Sequence, residues 1–494
     1  MYLLGIDVGS SSIKVSLFDA HKGVSIKRVA YPPDEMQILS ENRDMAEQDP
    51  EVWMENIRKA MLILQREDAE ALRSVEAIGI TYQMHGLVMI DRNGRPVRNS
   101  IIWCDSRAAG IGNDAFHKLG KEYCLSHLLN SPGNFTASKL RWVQLNEPEN
   151  YDRTFKIMLP GDYVAYRLTG MASTTLPGLS EGIFWDYREN GISGKLLSHY
   201  GFDRALLPDI VDTFSIQGYL RDDMAAWLGL RKGIPVAYRA GDQPNNAFSL
   251  NILEPGEVAA TAGTSGVIYG VIGKGVYDPL SRVNTFIHVN HTKANPRYGV
   301  LLCLNSTGIM NAWARQQLGD KDISYDTMNT LAARAPAGSD ALMVFPFGNG
   351  AERILQNKNT GAIITGLNFN IHNKSHLYRA MQEGIVFALY YGLEIMKEMG
   401  LEAGLIRAGL DNMFLSPLFV QSLSDISGAR IELYETNGAE GAARGAGIGA
   451  GYYRDTGEAF SKLRQMQTIE PARNEPLQKA YRDWKGELER MLNQ

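Results

Sequence analysis

Two short turns, each set between apolar runs, carry the residues of this chain best suited to hold an anion. The first is Asp7-Val-Gly-Ser-Ser11 and the second is Thr261-Ala-Gly-Thr-Ser265, and the two match position for position. Gly, Ser and Thr offer backbone N–H groups and hydroxyls to an anion without side-chain bulk. One such turn is usually only a turn. Two of them, about half the chain apart, point to a duplicated device gripping a polyphosphate, with Ser10, Ser11, Gly263 and Thr264 as its contacts. Neither turn fits the Gly-Lys-Ser/Thr loop or the dinucleotide fingerprint, both of which open helices. Here each turn leads into a strand.

Three further positions could carry chemistry. Asp7, at a strand end, is either a turn former bonding its own backbone or a hard oxygen ligand holding magnesium against phosphates. Asp242, in Ala240-Gly-Asp-Gln-Pro-Asn-Asn246, ends a strand and opens a helix. It is either that helix's N-cap or a carboxylate that takes a hydroxyl proton during phosphoryl transfer. The crevice outside the carboxyl ends of strands, where open α/β sheets bind ligands, favours the second role. In Tyr82-Gln-Met-His-Gly86, His85 is either a hydrogen-bonded structural residue or a group recognising a polyhydroxy ligand. Lys14 reads as a solvated lysine, and Asp105 with Arg107 as a structural ion pair.

The elements that must position these residues alternate between strand and helix. Residues 2–8 and 12–19 read as an opening hairpin. Asp49 caps a helix with Pro50 at its first position, and that helix turns Val52, Trp53, Ile57, Ala60 and Leu64 inward. Val75–Thr81 and Leu87–Asp91 read as strands, residues 110–170 as mainly helical, and Gly233–Gly241 as a strand followed by a helix over Pro244–Leu253. In the second half Leu301–Gln317 and His376–Gly400 read as helices, with Leu405–Gly409 a strand and Pro417–Ser427 a helix. The Gly- and Ala-rich run Glu440–Tyr452 suits a helix packed very close to something else. With no flexible linker in view, two halves of rigid-body character are expected, joined near residues 243–248.

Composition narrows the function classes. The chain has 494 residues, 44% apolar and 21% charged, with a net charge of −5. No basic footprint marks it for nucleic acid or a membrane surface. Cys104, Cys124 and Cys303 lack metal-ligand spacing, and such sparse cysteine use fits a reducing, cytoplasmic location.

In order along nearly the whole chain, several motifs resemble those of the FGGY carbohydrate kinases. They are Gly5-Ile-Asp-Val-Gly9, Gln83-Met-His-Gly86, Trp103-Cys-Asp-Ser-Arg107, Phe135-Thr-Ala-Ser-Lys-Leu-Arg-Trp142, Leu159-Pro-Gly-Asp162 running on to Gly170, Gly241-Asp-Gln243, Gly263-Thr-Ser265 and Leu377–Gly384. Met84-His85-Gly86 and the overall pattern are most similar to the xylulokinases among them. The resemblance implies an α/β protein of two actin-like, ribonuclease H-like domains, 1–246 and 247–494, with sugar and MgATP meeting in a cleft between them. It implies ATP-dependent phosphorylation of a ketopentose, D-xylulose first, with other FGGY acceptors (gluconate, ribulose, glycerol) or a non-catalytic actin-like ATPase as alternatives. Position by position it makes Asp242 the general base, Met84 and His85 the sugar-binding pair with Gln243 beside the base, and Asp7 the magnesium-linked aspartate. Gly308, Gly409 and Asn412 fall in the adenosine pocket. Gln243 stands where many xylulokinases carry Asn, a choice shared with glycerol kinases. The partners implied are a small sugar and MgATP, and a homodimer is compatible with the pattern.

Overall fold

The computed structural model describes residues 1–319 and 323–493. They form two compact units. Unit 1 comprises Met1–Asn251, Phe286–Arg297 and Thr436–Leu463, and unit 2 comprises Ile252–Thr285, Tyr298–Glu435 and the segment from Arg464 onward. The sequence suggests one cut after residue 246. The chain instead leaves unit 1 after Asn251 and returns to it twice.

Each unit is built on a mixed sheet. In unit 1 the strands are β1 (Tyr2–Val8), β2 (Ile13–Asp19), β3 (Val24–Tyr31), β4 (Val75–Tyr82), β5 (Phe214–Tyr219) and β6 (Pro235–Gly241), in the order β5-β6-β4-β1-β2-β3. Those of unit 2 are β7 (Glu257–Ala262), β8 (Gly266–Ile272), β9 (Tyr298–Leu304), β10 (Leu405–Gly409), β11 (Arg430–Tyr434) and β12 (Gln465–Ile469). Its seven-stranded sheet carries the further edge strand Asn284–Ile287 beside β9 and otherwise reads β9-β8-β7-β10-β11-β12. The senses agree as well as the order. β1–β2 and β7–β8 are antiparallel hairpins, β1–β4–β6 and β7–β10–β11 are parallel runs, and β5 and β12 close each run antiparallel. The two Gly/Ser/Thr turns sit at the same place in this repeated topology, at the tip of the first hairpin. The duplication seen in the motifs is a duplication of architecture.

Helices cover the sheets. Helix α1 (Pro50–Glu67) begins as expected, with the Asp49 carboxylate accepting from the Glu51 N–H at 2.9 Å. Trp53, Ile57, Ala60 and Leu64 are fully buried, whereas Val52 is exposed because it falls just outside the apolar arc. The helix after β6 is α2 (Asp242–Ser249), which begins two residues and ends four residues before its expected bounds. Within residues 110–170 the helices are interrupted by a short strand, Lys156–Met158. The expected helix Leu301–Gln317 is corrected: its first part is strand β9, and helix α3 (Gly308–Leu318) begins only after it. The short apolar run Val300–Leu304 has no period that separates strand from buried helix. Pairing with β8 decides in favour of the strand.

Helix α4 (Gly438–Gly449) fulfils the expectation of close packing. It lies on β1, β4 and β6 of unit 1, with its backbone almost touching theirs. A Cβ on Gly5 would lie 1.7 Å from the Ala439 carbonyl oxygen, and one on Gly79 1.9 Å from that of Ala442. Glycine in the strands and small residues in the helix are therefore one device read from both sides. Among the described residues no helix is long and apolar enough to cross a membrane.

Candidate active site

The candidate residues of unit 1 gather at the carboxyl ends of three adjacent parallel strands. Asp7 on β1 pairs in register with Thr81 on β4, which pairs with Ala240 on β6. Just beyond these positions the chain turns into the Gln83–Gly86 loop and into Asp242. Three segments far apart in sequence thus meet where open α/β sheets bind ligands.

Asp242 is not the cap of α2. The N-cap is Gly241, no side chain caps the helix, and Asp242 is its first residue. Burial, reinforced by the negative charge of Asp7, pushes Asp242 up to about 7 from an ordinary 3.8, against the weaker pull of Gln243 and Lys14. Asp7 is itself raised by burial. Its salt-bridge partner Lys14 stands 3.9 Å away with 58% of its side chain exposed, a solvated lysine as its sequence context suggests. The first position of α4, Gly438, closes the other side of Asp7, since a Cβ there would sit 3.2 Å from Oδ2.

Met84 is buried with its side chain against Gly241. His85 adopts φ +60°, a left-handed conformation unusual for a residue with a side chain. Its backbone is clamped at both ends. The N–H donates to Glu181 Oε1 at 3.3 Å, and the carbonyl accepts from the wholly buried Lys139 Nζ at 2.9 Å. The ring sits between Phe135 and Phe286, with centroids 4.8 Å and 5.3 Å away. Its Nδ1 lies 3.0 Å from the Glu181 carbonyl. A carbonyl only accepts, so Nδ1 carries the proton, and in the neutral ring Nε2 is the acceptor. Burial lowers Lys139 to about 8, with Asp105 partly opposing. Asp105 and Arg107 form the structural pair expected of them, 2.7 Å apart and buried. In the first turn Ser10 is tied down from two sides, its carbonyl by Gln48 at 2.7 Å and its hydroxyl by the Trp103 indole at 3.2 Å. Ser11 is exposed.

In unit 2 the remaining candidates converge around the second turn. Gly308 N–H donates to the Gly263 carbonyl at 2.7 Å, Ile309 N–H to that of Thr264 at 3.2 Å, and the Thr307 hydroxyl to Gly263 at 2.8 Å. A Cβ on Gly308 would lie 2.4 Å from the Gly263 oxygen, so this contact requires glycine. Asn412 reaches the same turn, with its Nδ2 3.8 Å from where a Gly263 Cβ would project. Gly409 ends β10, which runs parallel to β7. The N-terminus of α3 is thus tied to the tip of the β7–β8 hairpin, its first two N–H groups held by the carbonyls of Gly263 and Thr264.

Family models describing the FGGY carbohydrate kinases match both parts of the chain, the N-terminal domain over residues 2–249 and the C-terminal domain over residues 258–453. The chain belongs to the FGGY family of carbohydrate kinases. Over 467 residues it is 28% identical to the xylulose kinase of Haemophilus influenzae, covering 93% of this chain and 92% of that protein. Its fold matches the crystal structure of a xyloylose kinase from Brucella ovis, with TM-score 0.89 and 24% identity over 99% of this chain and 98% of that one. It matches a gluconate kinase from Lactobacillus acidophilus equally well, with TM-score 0.89 and 22% identity over the same shares of the two chains. Membership makes this kinase a phosphotransferase on two actin-like α/β domains.

Three residues of this kinase's site are invisible to motif reading. Lys139 lies inside a quoted motif, yet only its burial reveals that it holds the His85 carbonyl. Phe286 comes from a segment that returns to unit 1, and nothing local announces that return. Glu181 sits in Gly178-Leu-Ser-Glu-Gly182, which belongs to none of the motifs, and it is 1% exposed.

Proposed function

We propose that this carbohydrate kinase transfers the γ-phosphoryl group of ATP to a ketopentose, with D-xylulose as acceptor and its 5-hydroxyl as nucleophile. The observation that carries the reading is geometric: the ends of three adjacent parallel strands bring together Asp7, the Gln83–Gly86 loop and Asp242, whose carboxyl is raised by burial. As the hydroxyl oxygen bonds to γ-phosphorus, its proton passes to Asp242 and the β–γ bridging oxygen leaves with ADP. Such a transfer depends mainly on positioning and charge stabilisation. His85 would accept a sugar hydroxyl at Nε2, while Ser10, Ser11, Gly263 and Thr264 would take the phosphates. Gly308, Gly409 and Asn412 would hold the adenosine side.

Magnesium fits this residue set as a companion of the nucleotide. Asp7 is a largely enclosed carboxylate, its side chain 14% exposed, paired among the described residues with an exposed lysine 3.9 Å away. That matches a cation bound through one or two carboxylates plus substrate phosphates. When bound, magnesium would neutralise charge on the phosphates. Asp7→Ala should raise the magnesium concentration needed for half-maximal rate by roughly 10- to 100-fold. An unchanged magnesium requirement, measured by titration at fixed ATP, would remove Asp7 from this role.

The substrate assignment is tested by ADP release over a panel of D-xylulose, D-ribulose, gluconate and glycerol. A site hydrogen-bonded to several hydroxyls penalises an acceptor lacking them, by as much as about 10⁴-fold in kcat/KM. D-xylulose should therefore lead glycerol by a wide margin, and His85→Ala should raise the xylulose KM far more than the ATP KM. Gln243, the residue shared with glycerol kinases, favours glycerol as the second reading. A glycerol kcat/KM above that for xylulose would establish it.

A further inference from the structure

Glu181 contacts both segments that carry the acceptor-site candidates. It ends the short helix Leu176–Glu181 and is almost wholly enclosed. One carboxyl oxygen accepts the His85 N–H at 3.3 Å, and its backbone carbonyl accepts His85 Nδ1–H at 3.0 Å. Its other oxygen lies 2.5 Å from where a Cβ on Gly241 would project, directly before Asp242. Glycine at 241 therefore leaves the space that this carboxyl shares with the Met84 side chain, because φ −58° and ψ 156° there would suit any residue. We propose that Glu181 is a positioning residue for the acceptor, fixing the backbone conformation and ring tautomer of His85 and setting the spacing between His85 and Asp242. The inference rests on the reading of His85 and Asp242 as the acceptor site.

The chemistry of the enclosure supports a neutral acid in this role. Burial raises Glu181 well above the usual carboxylate range, and the charges of Asp242 and Asp162 raise it further, while the His85 N–H pulls the other way. A protonated carboxyl still accepts the His85 N–H through its carbonyl oxygen. It does so without adding negative charge next to the proposed base and the incoming phosphates. The left-handed φ of His85 has a cost that the surroundings must hold in place. Glu181 at the N–H and Lys139 at the carbonyl are those surroundings.

The test compares Glu181→Ala and Glu181→Gln in the full-length enzyme, using whichever panel acceptor gives the wild type its highest kcat/KM. A different preferred sugar would then revise the proposed function and leave this test intact. Loss of the bond to His85 should raise the acceptor KM of Glu181→Ala by roughly 10- to 100-fold, with the ATP KM within about twofold. Glutamine keeps a neutral acceptor oxygen, so Glu181→Gln should return the acceptor KM to within about threefold of wild type. Gly241→Ala, which intrudes on the carboxyl from the opposite side, should reproduce the alanine phenotype if Glu181→Ala does not fold. An unchanged acceptor KM in Glu181→Ala, or in Gly241→Ala where that variant stands in for it, overturns the proposal. So does equal loss of sugar and ATP affinity, or failure of glutamine to rescue.

Discussion

Replacing Asp242 with asparagine should lower turnover by roughly 10²–10⁴-fold, the contribution of a positioned general base, with acceptor and nucleotide binding retained. The same substitution should make the protein more heat-stable at neutral pH. Asp242 titrates near its ordinary 3.8 in the unfolded chain and at about 7 in the folded one. Between those values the folded state keeps a proton that the unfolded state has released. Ionisation of this group therefore weakens the fold progressively as pH rises from about 4 to 7, and the full penalty stands above 7. Asparagine removes it. Thermal melts should show Asp242→Asn above wild type at pH 8 and level with it near pH 3. In the wild type, kcat/KM should fall tenfold per pH unit on the acid side, bending near pH 7. Near-normal turnover together with a lowered melting temperature would return Asp242 to a local structural role.

Gly79→Val should be strongly disruptive to unit 1. Its Cβ would meet the Ala442 carbonyl oxygen at 1.9 Å and carbon at 2.6 Å, both backbone atoms of a helix that cannot yield locally. Helix α4 must lift from the sheet, at a cost of about 3 kcal/mol or more, or on the order of ten degrees in melting temperature for a unit of this size. Activity should fall with it, because the first position of α4 closes one side of Asp7. Gly486→Ala is the matched control. It places a Cβ in a helix where nothing lies within 4 Å and should be neutral or mildly stabilising. Comparable losses in both variants would mean that α4 is not fixed by this contact.

The sequence discloses those parts of the fold that depend on neighbours along the chain. The two hairpins, the Asp49 cap and the apolar arc of α1 follow from turn chemistry and period. The close packing of Gly438–Gly449 follows from side-chain size. What the run of small residues does not reveal is its partner, because β1, β4 and β6 lie hundreds of positions upstream. The strand Tyr298–Leu304 is misread for a related reason, since its identity comes from pairing with β8 rather than from its own pattern. At the site, Asp7, Asp242 and His85 are legible because a strand end or a turn marks each of them. Asp242 reads equally well as a helix cap, and only the observed cap at Gly241 separates the two. Glu181 and Lys139 carry no such mark. Burial gives each of these charged residues its meaning, and burial is set by the whole fold.

Helix α4 also bears on how the protein is made. The six strands of the unit 1 sheet are complete once residue 241 has been synthesised, yet the helix that covers three of them ends at residue 449. At about 5–20 residues per second, roughly ten to forty seconds of translation separate the two. Throughout that interval the nascent sheet presents the face lined by Gly5 and Gly79 without its cover. That face must stay clear of other nascent chains until the helix arrives. A polypeptide released after residue 251 should accordingly aggregate, and supplying residues 436–463 as a separate peptide should rescue its solubility.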